Sequence, residues 1–160
     1  MNLKSISIYI LIFLMLIACG TNSPVMVEVP NEIVVDSSSN TTPHIIFNDE
    51  FNIPRLDISK WTTELTWGRI NPPELQYYTP DGFTFEDGAL HIIANKTPLN
   101  GMDYTSGVIT SHQSFQFTYG QVEARLRVPA GQGLWPALWL LDYNGSANEI
   151  DILEILGNQP

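Results

Sequence analysis

Cysteine is nearly absent: the 160-residue chain has one, Cys19. A single thiol excludes an intrachain disulfide framework and any metal site built on cysteines. Positive charge is scarce as well. Seven Lys and Arg stand against 17 Asp and Glu, a formal net charge of −10, and no basic patch interrupts the acidic balance. No nucleic-acid partner is expected, because affinity for a phosphate backbone rests on clustered cations. The three histidines, His44, His91 and His112, do not sit at metal-ligand spacing and read as structural or surface residues. Beyond the first 18 residues no long stretch carries the 3.6-residue period of an amphipathic helix. The long apolar run, Ile6 to Ala18, has 13 residues, too few to span a bilayer comfortably.

That run reads as an address. Lys4 supplies a positive n-region, and the apolar stretch ends in Leu16-Ile17-Ala18-Cys19, which resembles a bacterial lipobox. In a lipobox the Cys is lipidated and becomes the mature N-terminus. An ordinary cleaved signal peptide that happens to carry a Cys is the alternative. The position of the single Cys favours lipidation. The expected division is a lipoprotein signal peptide over 1–18, a flexible tether over 19–43 and a folded part over 44–160. Ser37-Ser38-Ser39-Asn40-Thr41-Thr42 is the plainest tether tract. The expected location is the bacterial cell envelope, on a membrane through the lipid. The folded part holds 117 residues, enough for one core.

Its pattern is β. Strands are expected at His44–Phe47, Ala89–Ala94, Gly107–His112, Ser114–Thr118, Ala137–Leu141 and Glu149–Ile155. Gln121–Val128 alternates most cleanly, with Val122, Ala124, Leu126 and Val128 between polar residues. Turn signals recur at Pro80-Asp81-Gly82, Glu86-Asp87-Gly88, Asn100-Gly101, Ala130-Gly131-Gln132-Gly133 and Asn144-Gly145. Short strands at regular spacing predict an all-β sandwich or jelly roll.

Glu149-Ile150-Asp151-Ile152-Leu153-Glu154 is the most informative segment. Side chains alternate along a strand, so Glu149 and Asp151 share a face. Strict alternation would turn Glu154 away. One extra residue, a β-bulge at Ile152-Leu153, brings it back. Three acids on one face repel one another, a cost that chemistry would justify. Paired carboxylates close together are what retaining glycoside hydrolysis requires. A solvated acidic edge strand is the alternative. The large apolar residues between the acids predict instead a buried face and a central strand.

Trp135 and Trp139 share a face with Ala137, and indoles offer sugar rings a stacking platform. Core packing is the competing use of both. Glu123 and Arg125, on the polar side of 121–128, could hydrogen-bond sugar hydroxyls or form an exposed ion pair.

The chain resembles glycoside hydrolase family 16, in particular its laminarinase-like β-glucanases, in Asp49-Glu50-Phe51, Trp61, Glu74-Leu75-Gln76-Tyr77-Tyr78, Tyr104-Thr105-Ser106-Gly107, Tyr119-Gly120-Gln121-Val122-Glu123-Ala124-Arg125, Gly133-Leu134-Trp135-Pro136-Ala137-Leu138-Trp139 and the acidic motif. The resemblance implies a concanavalin-like jelly roll acting on β-1,3- or mixed β-1,3/1,4-glucan as a monomer. It makes Glu149 the nucleophile, Glu154 the acid/base and Asp151 the carboxylate between them that tunes both. Trp135, Trp139, Glu123, Arg125 and Asn71 become substrate-binding residues. No cofactor serves catalysis, and Glu50 with the Gly88 carbonyl are implied as ligands of a structural calcium. Asn71-Pro72-Pro73 departs from the family pattern, and two prolines stiffen the loop it forms.

Family domains run to about twice this length, so the sandwich is expected to be truncated after the catalytic strand. Two other readings stand beside the hydrolase: a non-catalytic carbohydrate-binding surface lipoprotein, and an inactive gene fragment.

Overall fold

The computed structural model of the chain describes residues 8–16, 44–142 and 148–157. Cys19, the tether and the Asn144-Gly145 turn lie outside the described residues. Among the described residues every regular element is a strand: β1 (Ile8–Leu16), β2 (Gln76–Tyr78), β3 (Phe83–Glu86), β4 (Ala89–Ile92), β5 (Tyr104–Ser106), β6 (Val108–Thr110), β7 (Leu134–Asp142) and β8 (Glu149–Glu154). The chain is all-β, as its alternation predicts.

The main sheet has the order β6-β1-β7-β8, and β2-β5 and β3-β4 form two small sheets. β1 comes from the apolar run read as a leader. Its backbone pairs antiparallel with β7 from Ile8↔Asp142 to Leu16↔Leu134, and with β6 on its other side.

β7 is buried on both faces, because its Leu-Trp-Leu-Leu run offers an apolar residue to each. Leu138 and Leu140 join Phe47, Phe51, Trp61, Leu90, Ile92 and Ile109 in one cluster. Ala137, Trp139 and Leu141 join Leu65, Tyr78 and Val108 in the other. The alternation of β7 thus sorts one strand's side chains into two apolar layers, as a sandwich requires.

Two turns follow from chemistry. Asp87-Gly88 links β3 and β4 as a two-residue hairpin with φ 53° and 70°. Positive φ at both central residues is the type I′ pattern that Asp-Gly favours. Asn100-Gly101 repeats it, with φ 50° and 83°, between Leu99 and Met102, which exchange backbone hydrogen bonds of 2.9 and 3.0 Å.

Three expectations need correction. Gln121–Val128 forms no strand. Val122, Ala124 and Leu126 do face the first cluster, so the alternation is genuine, but no described strand pairs with it. Ser114 closes a turn, its N–H donating to the Ser111 carbonyl, and 114–118 is not a strand. The His44–Phe47 strand reduces to one bridge residue at Phe47.

Candidate active site

β7 carries the site because β8 docks beside it with a defect. Glu154 pairs with Ala137 and Leu153 with Leu138, but Trp139 pairs with Asp151, skipping Ile152. The extra residue restores parity. Glu149 then sits opposite Leu141, Asp151 opposite Trp139 and Glu154 opposite Ala137. These β7 partners all belong to the second apolar cluster, so the three carboxylates share that cluster's face. The expected bulge lies where the carboxylate spacing puts it.

The carboxylates act on one another. The pKa of Glu149 is raised above 4.5, first by partial burial, then by the charge of Asp151 and a hydrogen bond shared with it, and then by the charge of Glu154. Like charges on adjacent positions disfavour a further ionisation. Glu149 therefore holds its proton more firmly than an ordinary glutamate, the opposite bias to that of a nucleophile kept ionised.

The expected central strand is a correction. β8 is the outer strand of its sheet, hydrogen-bonded to β7 alone among the described residues. Ile150 is 53% exposed and Ile152 42%, and Ile155 and Leu156 are exposed as well. Leu153 packs against the first cluster from the opposite side. An apolar run is buried only where a second neighbour or a facing layer covers it, and no described residue does so here.

Trp139 is 6% exposed and packs in the second cluster, with Trp135 half-buried against it. The Trp135 indole N–H is buried with no hydrogen-bond partner among the described residues, and burying an unmade hydrogen bond costs about 1–3 kcal/mol. Trp67, which no sequence motif singles out, tilts over Trp139 with ring centroids 6.4 Å apart at 54°. It is 48% exposed. The half-exposed indole next to Trp139, the residue opposite Asp151 in the β7–β8 ladder, therefore belongs to Trp67.

Asn71 lies in this assembly with both ends of its amide engaged. Its Oδ1 accepts from the Trp67 indole N–H at 3.1 Å, and its Nδ2 donates to Glu74 Oε1. Glu74 is 7% exposed. Its Oε2 accepts from Gln76 Nε2 at 2.6 Å and from the Tyr78 hydroxyl at 2.7 Å. Burial raises the Glu74 pKa, and these three hydrogen bonds only partly oppose the rise. Glu74, Gln76 and Tyr78 are polar, buried and spaced by two. That period-2 polar pattern is the signal by which the sequence could have revealed the network.

Glu123 and Arg125 are exposed on the unpaired 121–128 segment. The apolar residues of that segment pack on the first cluster, whereas the carboxylates share the face of the second. Glu50 lines a cavity of about 590 Å³ with Asp49, Asn52, Arg55, Asp57 and Lys60 among its walls. Asp49 is committed elsewhere, accepting from the Phe51 backbone N–H and, at 2.8 Å, from the Trp61 indole. Glu50 and the Gly88 carbonyl would give two of the six to eight oxygens that calcium takes. No group of three His, Cys, Asp or Glu residues suited to a metal occurs among the described residues.

A family model described as beta-glucan synthesis-associated protein SKN1/KRE6/Sbg1 matches residues 10–148. Among curated proteins, the chain is 37% identical over 136 residues to a beta-glucanase of Rhodothermus marinus, covering 76% of this chain and 48% of the relative. It is 35% identical over 141 residues to glucan endo-1,3-beta-glucosidase A1 of Niallia circulans, covering 73% of this chain and 20% of the relative. It is also 42% identical over 60 residues to a beta-1,3-glucan-binding protein of Penaeus monodon, covering 34% of this chain and 16% of the relative. The chain thus spans about half or less of these relatives. No solved structure matches.

Proposed function

The chain belongs to the family of beta-glucan synthesis-associated proteins SKN1/KRE6/Sbg1, and we propose that its β-domain hydrolyses β-1,3- or mixed β-1,3/1,4-glucan by a retaining double displacement. The observation that carries this reading is the skipped Ile152, which gathers Glu149, Asp151 and Glu154 on one face of the β7–β8 pair. The names of the two bacterial relatives supply the substrate class.

In the first step a Glu149 carboxylate oxygen bonds to the anomeric carbon while the glycosidic C–O bond breaks. The leaving oxygen takes the proton of Glu154. In the second step water attacks the same carbon, gives a proton to Glu154 and releases Glu149. Asp151, between them, sets how readily Glu149 ionises. No cofactor takes part, and no step is assigned to calcium. The test is a reducing-sugar assay on soluble β-1,3-glucan with the wild type and Glu149→Gln. Sugar released by the wild type and not by the variant supports the mechanism; equal rates would sink it.

A non-catalytic glucan-binding protein is the second reading, favoured by the name of the Penaeus monodon relative. It predicts retention on insoluble glucan with no sugar released. In either case we propose a monomer held at the bacterial cell envelope by lipid on Cys19. Loss of the membrane-associated fraction in Cys19→Ser is the expected outcome.

A further inference from the structure

Glu74 is a buried carboxylate that the proposed reaction does not use. Its three partners and the Trp67 indole beyond Asn71 describe a relay. Tyr78 and Gln76 hold Oε2, and Gln76 Nε2 also reaches the Tyr78 hydroxyl at 2.9 Å. Oε1 is then turned toward the Asn71 amide. Asn71 in turn fixes the indole N–H of Trp67. The Trp67 ring packs at a tilt beside Trp139, which lies opposite Asp151 in the β7–β8 ladder.

Each link restricts the next. Asn71 reaches two partners at once, and the donors around Glu74 decide which oxygen is left for it. A Trp ring that is half exposed, held at its N–H and packed beside Trp139 has its orientation restricted. An exposed aromatic side chain costs conformational entropy to immobilise; here the protein has immobilised it before any ligand arrives.

We propose that Trp67 is a stacking platform for a pyranose ring and that Glu74 is its positioning residue, acting through Asn71. This rests on the β-glucan reading above. On it, Asn71 serves the sugar by orienting the indole and leaves direct contact to the ring face. The ligand class is a β-linked glucan, whose rings present axial C–H groups to an aromatic plane.

The test is the affinity of a β-1,3-linked glucose hexasaccharide, read by calorimetry on the full chain carrying Glu149→Gln so that nothing is cleaved. Trp67→Ala is expected to weaken binding about tenfold. Glu74→Gln replaces one acceptor oxygen by an N–H₂ that must face either Asn71 or the Gln76–Tyr78 pair, and is expected to weaken binding by several-fold in the presence of Trp67 and not at all in a Trp67→Ala background. A merely structural Glu74 would weaken both backgrounds alike, which overturns the relay. Trp67→Phe cuts the tie to Asn71 and keeps an apolar ring. If Glu74→Gln fails to fold, adding Asn71→Ala to Trp67→Phe should change nothing, and additive losses overturn the proposal. Unchanged affinity in Trp67→Ala overturns the platform alone. Absence of hexasaccharide binding by the parent protein overturns the platform and the β-glucan reading together.

Discussion

Asp151 lies opposite Trp139 across the β7–β8 pair, and the next residue of β8, Ile152, has no counterpart on β7. One uncounted residue thus decides where Glu154 points. Deleting both Ile152 and Leu153 should leave an unbroken ladder and send the Glu154 carboxylate to the face of Leu138 and Leu140. Loss of a general acid/base lowers turnover by about 10²–10⁴-fold. The expected result is a loss of that size in glucan hydrolysis with hexasaccharide affinity kept. A double-deletion variant of near-parental turnover would show that Glu154 need not share the face of Asp151.

Glu149 must lose its proton to attack, and burial with Asp151 beside it raises its pKa above 4.5. The acid limb of the activity profile should therefore lie above the ordinary glutamate value. Replacing Asp151 by Asn removes a neighbouring negative charge and should move that limb to lower pH. The check is kcat/KM against pH for both proteins. A limb that stays in place would mean that Asp151 does not tune Glu149.

Glu74 couples stability to pH. Its folded-state pKa is raised by burial above the unfolded value of about 4.5. The protonated form is then favoured by folding. Its contribution is fully present below the unfolded pKa and is lost as pH rises through the folded one. Urea midpoints should fall across that window in the parent and stay flatter in Glu74→Gln. Equal slopes would contradict the assignment.

Burial separates two apolar residues of the β7–β8 pair. Leu138 is 1% exposed and Ile150 is 53% exposed. Leu138→Ala should cost about 2–5 kcal/mol in chemical denaturation. Ile150→Lys should cost under about 0.5 kcal/mol, as surface changes usually do, and should raise solubility because charge on an open strand discourages pairing between molecules. A costly Ile150→Lys would mean that another strand covers β8 in solution.

Much of this site was legible because carboxylates at i, i+2 and i+5 can share a strand face only through a bulge. Asp87-Gly88 was legible because it is a turn that few residue pairs can make. β2, β3 and β5 escaped notice, having three or four residues each, too few to display a period. The 121–128 segment misled for a physical reason. Alternation reports which side chains face a core, and Val122, Ala124 and Leu126 do; it does not report whether another backbone lies alongside. The apolar residues of the acidic motif misled similarly, since Ile150 and Ile152 state a preference for burial that only a neighbour can satisfy. The Trp67–Asn71–Glu74 chain was hidden because its contacts run through a loop around the cis Pro72-Pro73 bond, where no simple repeat brings side chains together.

The place of β1 in the main sheet sets two fates against each other. A segment that serves as an export signal must be bound in the open by the secretion machinery. Residues 8–16 are, in the folded chain, threaded between β6 and β7. If they are the leader that their composition suggests, secretion and folding compete for the same nine residues, and the outcome is a race. Slowing the sheet with Leu138→Ala should raise the exported share of newly made chains in a pulse-chase, and a share that does not change would mean the two never meet.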